Sequence, residues 1–214
     1  MNQRFTPYTI PGVTELPSSG RGMRIGLFGG SFNPAHDGHM LVAEQALRRL
    51  DLDALWVMVT PGNPLKDRSD LAPLAERVAG ARHVLNDPRI KVTGFEAAHG
   101  FTYSWQTIKY LKQSLPGRNF VWIMGADNMV GFHHWQRWRE IADLLPIAVY
   151  VRPGSSRLAP SSRTAQALAQ YRVDEDDAPS IAGFRAPAWV YLHGLQSGLS
   201  SSAIRARRNP EPTR

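Results

Sequence analysis

The sequence predicts a doubly wound α/β domain, a mostly parallel β-sheet with helices on both faces. Two patterns carry this. Short runs rich in β-branched and aromatic residues alternate with longer segments whose apolar residues recur at helical spacing. Repeating the strand–helix–strand unit several times requires right-handed crossovers, which leave the strands parallel and cover the sheet on both sides. A chain of 214 residues fits one such domain with a real core.

The elements follow in order. Residues 1–22, MNQRFTPYTIPGVTELPSSGRG, hold three prolines and three glycines and no periodic apolar face, so they are expected to form a flexible extension outside the core. MRIGLF (23–28) is the first strand. Val42, Ala43, Ala46, Leu47 and Leu50 mark one face of a helix that begins near Asp37. ALWVMVT (54–60) is the next strand, Leu74, Val78, Ala81 and Leu85 the next helical face, and IKV (90–92) the third strand. Ile108, Leu111 and Leu115 mark a third helix, followed by strands NFVWIM (119–124) and IAVYV (147–151). From Pro153 to Pro187 the chain is polar and acidic in its second half, which predicts one short helix near Ser162–Tyr171 and a mobile loop around Asp174–Ser180. WVYLH (189–193) is the last strand. The expected organisation is a single domain over residues 23–208 with a short tail, 209–214.

Composition narrows the function. Hydrophobic residues at 43% and charged residues at 20% are ordinary for a globular chain. No stretch approaches the roughly 18 apolar residues of a membrane span, so no membrane partner is expected. Cysteine is absent, which excludes disulfides and thiolate metal sites. No secretory h-region is visible, and the cytoplasm is the expected location. The net charge of +7 suits phosphorylated partners. Part of that excess sits in Arg205, Arg207, Arg208 and Arg214, which by themselves read as a steering tail and not as a specific nucleic-acid site. The oligomeric state is left open, a homo-oligomer included.

The most unusual chemistry is GGSFNPAHDGHM (29–40), between the first strand and the first long helix. It admits three readings: a metal site, a phosphate cradle, or an ordinary turn. In open parallel sheets, ligands bind beyond the carboxyl ends of the strands, where this turn lies. Gly29 and Gly30 let a ligand approach the backbone, and the helix N-terminus directs N–H groups and a positive dipole end toward an anion. His36 and His39, three apart, point to one side of the first helical turn. A metal would need further ligands; apart from the adjacent His133 and His134 no other histidine stands in a paired ligand spacing and no companion carboxylate is obvious, so no metal held by protein side chains is expected. At the far end, GLSSSAIRARR (198–208) offers serines as N-caps and Arg205 as a bidentate phosphate partner.

Together these segments resemble the HxGH nucleotidylyltransferase superfamily, with its Rossmann-like fold, and within it the nicotinate-nucleotide adenylyltransferases. The resemblance covers about residues 23–208 and rests on six motifs: GGSFNPAHDGH, TPGNPLK (60–66), TYSWQT (102–107), GADN (125–128) with Trp135 downstream, VRPG (151–154) and LSSSAIR (199–205). Ser31, Asn33, Leu65 and Gln106 depart from the family pattern at positions that bear on acceptor contact, not on the reaction class.

What the resemblance implies is adenylyl transfer from ATP to nicotinate mononucleotide, with Mg²⁺ bound together with ATP. His36, His39 and Arg205 would be the catalytic residues. Gly29, Gly30, Ser31, Phe32, Gly38, Gly125, Asp127, Ser201 and Ser202 would bind ATP. Asn33, Lys66, Tyr103 and Trp135 would bind the mononucleotide. Asp127 could equally cap its helix, Lys66 could be a solvated surface charge, and Trp56 and Trp122, inside strands, read as core. The other open readings are a sister nucleotidylyltransferase with a different phosphorylated acceptor, a basic RNA-binding protein and a His-metal hydrolase.

Overall fold

The computed structural model describes residues 6–62, 71–151 and 158–194. Among the described residues seven strands form one sheet: β1 (Arg24–Gly30), β2 (Ala54–Val59), β3 (Ile90–Thr93), β4 (Asn119–Gly125), β5 (Ile147–Tyr150), β6 (Arg172–Val173) and β7 (Trp189–Leu192). Their order is β3-β2-β1-β4-β5-β7-β6, and every pairing is parallel. β1 is interior, with Ile25 opposite Ala54 on one side and Phe120 on the other. The strand order reverses between β1 and β4, so the loops leaving these two strands diverge and open a crevice at their carboxyl ends.

β2 is buried at every position, as expected of a strand covered on both faces. Its alternate residues serve two cores. Leu55, Val57 and Val59 join Val42, Ala46 and Leu47 of α1 (Asp37–Arg49) and Val78 and Ala81 of α2 (Leu74–Val84). Ala54, Trp56 and Met58 face the other way, toward Ile108 and Leu111 of α3 (Ser104–Ser114). That second core also takes Met129 of α4 (Ala126–Gly131), Ile141 of α5 (Trp138–Leu144) and Ala165 of α6 (Arg163–Ala167). The period of two along each strand thus assigns each helix to a face. α6 occupies the place predicted for a short helix, with Ser162 Oγ accepting from Ala165 N at 3.2 Å as its N-cap. Among the described residues no helix is long and apolar enough to cross a membrane.

Two expectations are corrected. Residues 174–180 are not a mobile loop: Glu175–Gly183 is a 3-10 helix with Ala178, Ile181 and Ala182 buried on the α1 face of the sheet. The acids that resemble a solvated run are its cap and first turn, with Asp174 Oδ1 accepting from Asp176 N at 2.9 Å. Glu175 in addition takes Arg49 at 2.6 Å and His193 Nδ1 at 2.7 Å, which ties the end of α1 to the exit of β7. Strand β6, two residues at the sheet edge, is too short to show a period.

The second correction concerns the N-terminal segment. Residues 6–22 lie against the domain. Tyr8 N donates to Ala97 O (3.0 Å), Gly94 N to Val13 O (2.8 Å) and Thr93 Oγ1 to Glu15 O (2.6 Å). Arg118 Nη2 donates to Ser19 O (2.8 Å), and Leu16 packs on the α3-side core. Most of these anchors are backbone groups, which any sequence carries, so no apolar period announces them. Removing residues 1–21 leaves their partners without bonds worth about 1 kcal/mol each. A loss of roughly 2–3 kcal/mol should lower the melting temperature by about 5–10 °C. An unchanged melting temperature in the truncated protein would show the contacts to be energetically empty.

Candidate active site

The crevice begins where β1 ends. A Cβ on Gly29 would stand 3.2 Å from Cη2 of Trp122, and one on Gly30 would stand 3.0 Å from Cε2 of Phe32, so neither position admits a side chain without displacement of a ring. Phe32 takes a left-handed backbone (φ 46°) that a bulky residue rarely adopts. Its ring compensates by full burial, edge-on to Phe28 with centroids 5.5 Å apart. Asn33 is buried as well, and its Oδ1 accepts from Ala72 N at 3.3 Å, which links the turn to the residues before α2.

His36 and His39 are built into the start of α1. His36 is the N-cap, with Nδ1 accepting from Gly38 N at 3.1 Å, and His39 Nδ1 accepts from His36 N at 3.2 Å. This is a reciprocal capping arrangement made with imidazoles in place of the usual hydroxyl and carboxylate. Acceptance at Nδ1 in both rings puts the ring proton on Nε2. The rings lie 3.8 Å apart by centroid, and His39 also contacts Phe32 at 4.8 Å, so the pair is braced by the same turn that carries the glycines.

Behind this turn sits Arg77 of α2, almost fully buried. Its Nε donates to Ala72 O (2.7 Å), and Nη1 donates to Ser31 O and Thr60 O (2.8 Å each). One side chain therefore joins the loops that follow β1 and β2. Burial pulls the Arg77 pKa down, yet a guanidinium remains charged, and its charge lies beneath the glycine turn.

A cleft of about 420 Å³ is lined by Gly29, Gly30 and Ser31 together with the rings of Tyr103, Trp122 and Trp135, Trp122 lying against Gly29. Thr60, Gly62, Glu96, Thr102, Ser104, Asn128, His134, Gln136 and Ile141 complete its lining. Five residues expected at the site, Gly29, Gly30, Ser31, Tyr103 and Trp135, thus share one cavity. Gly125 is the extended residue before α4; Asp127 lies exposed on that helix's first turn, and the cleft takes its neighbour Asn128. Lys66, Ser201, Ser202 and Arg205 lie outside the described residues.

Gln106, where the family pattern differs, is a helix-capping residue: its Oε1 accepts from Thr102 N (2.9 Å) and Tyr103 N (3.0 Å). Trp105 Nε1 donates to Gln136 Oε1 at 2.8 Å, and the Arg137 guanidinium sits 4.2 Å from the Trp105 ring centroid. These contacts hold the start of α3 against the segment that carries Trp135.

Sequence reasoning missed Thr60, Glu96, Arg77, Asn128, His134 and Gln136, and it assigned Trp122 to the core alone. Trp122 is 3% exposed, so it is a core residue, but its ring also forms part of the cleft wall. Trp56 is core only. Among the described residues no group of three or more His, Asp or Glu could hold a metal ion.

Glu96 is the acidic member of the lining. Its Oε1 accepts from Thr107 Oγ1 at 2.6 Å and its carboxyl also meets the Thr60 hydroxyl. Burial pushes its pKa up to about 7, against the opposing pull of these two hydroxyls. A partly neutral carboxyl repels an incoming polyanion less than a full charge would. Between the unfolded value near 4.5 and the folded value near 7, the folded protein holds the extra proton, so stability falls as pH rises across that window. The total is about 3 kcal/mol. Glu96→Gln removes this dependence while keeping an acceptor for both hydroxyls. Its melting temperature relative to the parent should therefore rise between about pH 5 and pH 8. A constant difference across that range would show the carboxyl to be ionised throughout.

The chain matches the cytidylyltransferase-like family over residues 27–207. It is 57% identical over 187 residues to a protein of Rhizobium meliloti named "Probable nicotinate-nucleotide adenylyltransferase", covering 87% of this chain and 100% of the relative. A protein of the same name from Agrobacterium fabrum is 58% identical over 183 residues, covering 86% of this chain and 98% of the relative. Among solved structures, Plasmodium falciparum nicotinic acid mononucleotide adenylyltransferase, complexed with NaAD, superposes with a TM-score of 0.67 at 17% identity, covering 89% of this chain and 86% of its own.

Proposed function

Because the chain belongs to the cytidylyltransferase-like family, and within it to the nicotinate-nucleotide adenylyltransferases, we propose that it joins ATP to nicotinate mononucleotide, giving nicotinate adenine dinucleotide and pyrophosphate. The observation that supports this is a cleft in which the glycine turn after β1 and aromatic rings share one cavity; His36 and His39, which cap α1 a few residues beyond that turn, are not among its lining residues. Such a cavity suits a ligand that carries both a polyanion and a flat ring.

A phosphate oxygen of the mononucleotide attacks the α-phosphorus of ATP, and the bond from that phosphorus to the α,β-bridging oxygen breaks. Pyrophosphate leaves with the electron pair. The attacking phosphate monoester has a second pKa of about 6 and is already largely ionised at neutral pH, so no general base is needed. What the protein supplies is alignment of two anions and stabilisation of the charge that grows on the leaving group.

In this reading His36 and His39 donate from Nε2 to the phosphates of ATP, a role supported by the tautomer that their mutual capping imposes. Gly29, Gly30 and Ser31 give close backbone approach, aided by Phe32, Gly38 and the positive end of the α1 dipole. Gly125, Asp127, Ser201 and Ser202 take further contacts to ATP, and Arg205 grips its phosphate oxygens bidentately. Asn33, Lys66 and Tyr103 serve the mononucleotide, with the pyridine ring on Trp135. Mg²⁺ bound together with ATP would offset part of the phosphate charge, with none of the described side chains needed to hold it.

Pyrophosphate release from ATP, measured with nicotinate and nicotinamide mononucleotides in parallel, tests the proposal. Release that depends on the nicotinate compound is the expected result. ATP turnover with neither would refute it.

A further inference from the structure

We infer that Arg77 is a positioning residue that supplies a standing positive charge for the phosphates of ATP, acting from behind the cleft wall through the loops after β1 and β2. This rests on the adenylyl-transfer reading given above, with the glycine turn as the seat of those phosphates. Arg77 is 4% exposed and, as a guanidinium, stays charged. A buried charge is ordinarily matched by an opposite one, because taking it out of water uncompensated is costly. Yet among the described residues each hydrogen-bond partner of Arg77 is a neutral carbonyl, and it makes no ion pair there. Glu96, the acid of the cleft lining, exchanges no electrostatic interaction with it.

The placement of this charge says what would match it. Two of its acceptors, Ser31 O and Thr60 O, each 2.8 Å from Nη1, belong to residues that line the cleft. The guanidinium therefore stands directly behind a wall that a ligand meets, and needs no exposed surface of its own to be felt there. Thr60 N also donates to Gly30 O at 2.9 Å, so the two loops are tied to each other as well as to Arg77. A charge acting through such a dry layer is screened far less than one at the surface. An anion in the cleft is the counter-charge that the fold leaves out, and a polyphosphate gains most because it carries several charges. Three bonds fix the guanidinium before any ligand arrives, so its field is already in place when the anion binds.

Two replacements separate charge from bracing. Site-specific replacement of Arg77 by citrulline keeps the Nε–H and one terminal NH₂ group, hence donors for all three carbonyls, and removes the charge. Arg77→Lys keeps the charge and loses the planar fork. Dissociation constants of ATP, inorganic pyrophosphate and adenosine are measured by calorimetry, beside the melting temperature of each protein without ligand. The citrulline protein should melt no lower than the parent and bind ATP and pyrophosphate about 10-fold or more weakly, a factor equal to about 1.4 kcal/mol. Adenosine, which has no phosphate, should change by less than about threefold. The lysine protein should melt lower than the parent yet hold ATP better than the citrulline protein does; where it folds poorly, the citrulline result decides alone. Parent affinity for ATP and pyrophosphate in the citrulline protein, an equal loss for adenosine, or a citrulline protein that melts well below the parent overturns the inference. A parent protein that binds ATP but releases no pyrophosphate with nicotinate mononucleotide would instead refute the proposed function, and the binding contrast would still judge Arg77 separately.

Discussion

Replacing His36 or His39 by alanine is expected to lower kcat by about 100-fold or more, the usual cost of removing a donor aimed at charge that develops in the transition state. The fold adds a second effect that must be separated from the first. His36 is the N-cap of α1, and His39 accepts from the His36 backbone, so each alanine variant also frees a backbone N–H. Loss of a cap costs about 1 kcal/mol, a few degrees in melting temperature for a chain of this size. His36→Asn divides the two roles, because asparagine caps well but has no imidazole N–H. It should melt close to the parent and still lose about 100-fold in kcat. A folded His36→Asn or His39→Ala protein with kcat near the parent value would remove the histidines from the chemistry and leave them as capping groups.

Trp135→Ala should reduce kcat/KM for nicotinate mononucleotide by about 5- to 150-fold, the equivalent of roughly 1 to 3 kcal/mol of ring stacking. The KM of ATP should change little. Trp135 is half-buried and meets Phe132 at 5.3 Å and Trp122 at 6.3 Å between centroids, both edge-on, while it also borders the cleft. Some stability will be lost through those two rings. The substrate contrast decides. If Trp135 only packed, truncation would cost about 3 to 5 kcal/mol of stability and impair both substrates alike. Kinetic constants for the two substrates, set beside the melting temperature of the variant, distinguish the cases.

The order of strands and helices was legible because alternating burial and helical spacing reflect the same packing that builds the sheet. Six runs read as strands became six of the seven strands, and the glycine turn appeared where β1 meets α1. Polar residues that hold the site together were not legible. Arg77 lies between the apolar positions of α2 and looks like a surface residue until its three carbonyl partners are seen. Glu96 is buried by the meeting of three segments, none of which encodes that meeting locally. Trp122 was legible as an apolar residue of β4, but an interior strand that ends at a crevice shows the same run of residues whether a ring faces core or ligand. The N-terminal segment was misjudged for the reason given by its hydrogen bonds, which are made by backbone and not by side-chain pattern.

The place of β1 in the sheet also governs how the chain is assembled during synthesis. β1 leaves the ribosome before the other described strands, and its ladder toward β2 closes with a partner 29 residues on, Ile25 with Ala54. Its other edge must wait for β4, where the partner of Ile25 is Phe120. For that whole interval an apolar strand destined for the interior presents an open row of N–H and C=O groups, the kind of edge that other chains can pair with. The nascent protein is therefore most exposed to aggregation while the segment between β2 and β4 is being made, and a fragment that stops before residue 119 would keep that edge open permanently.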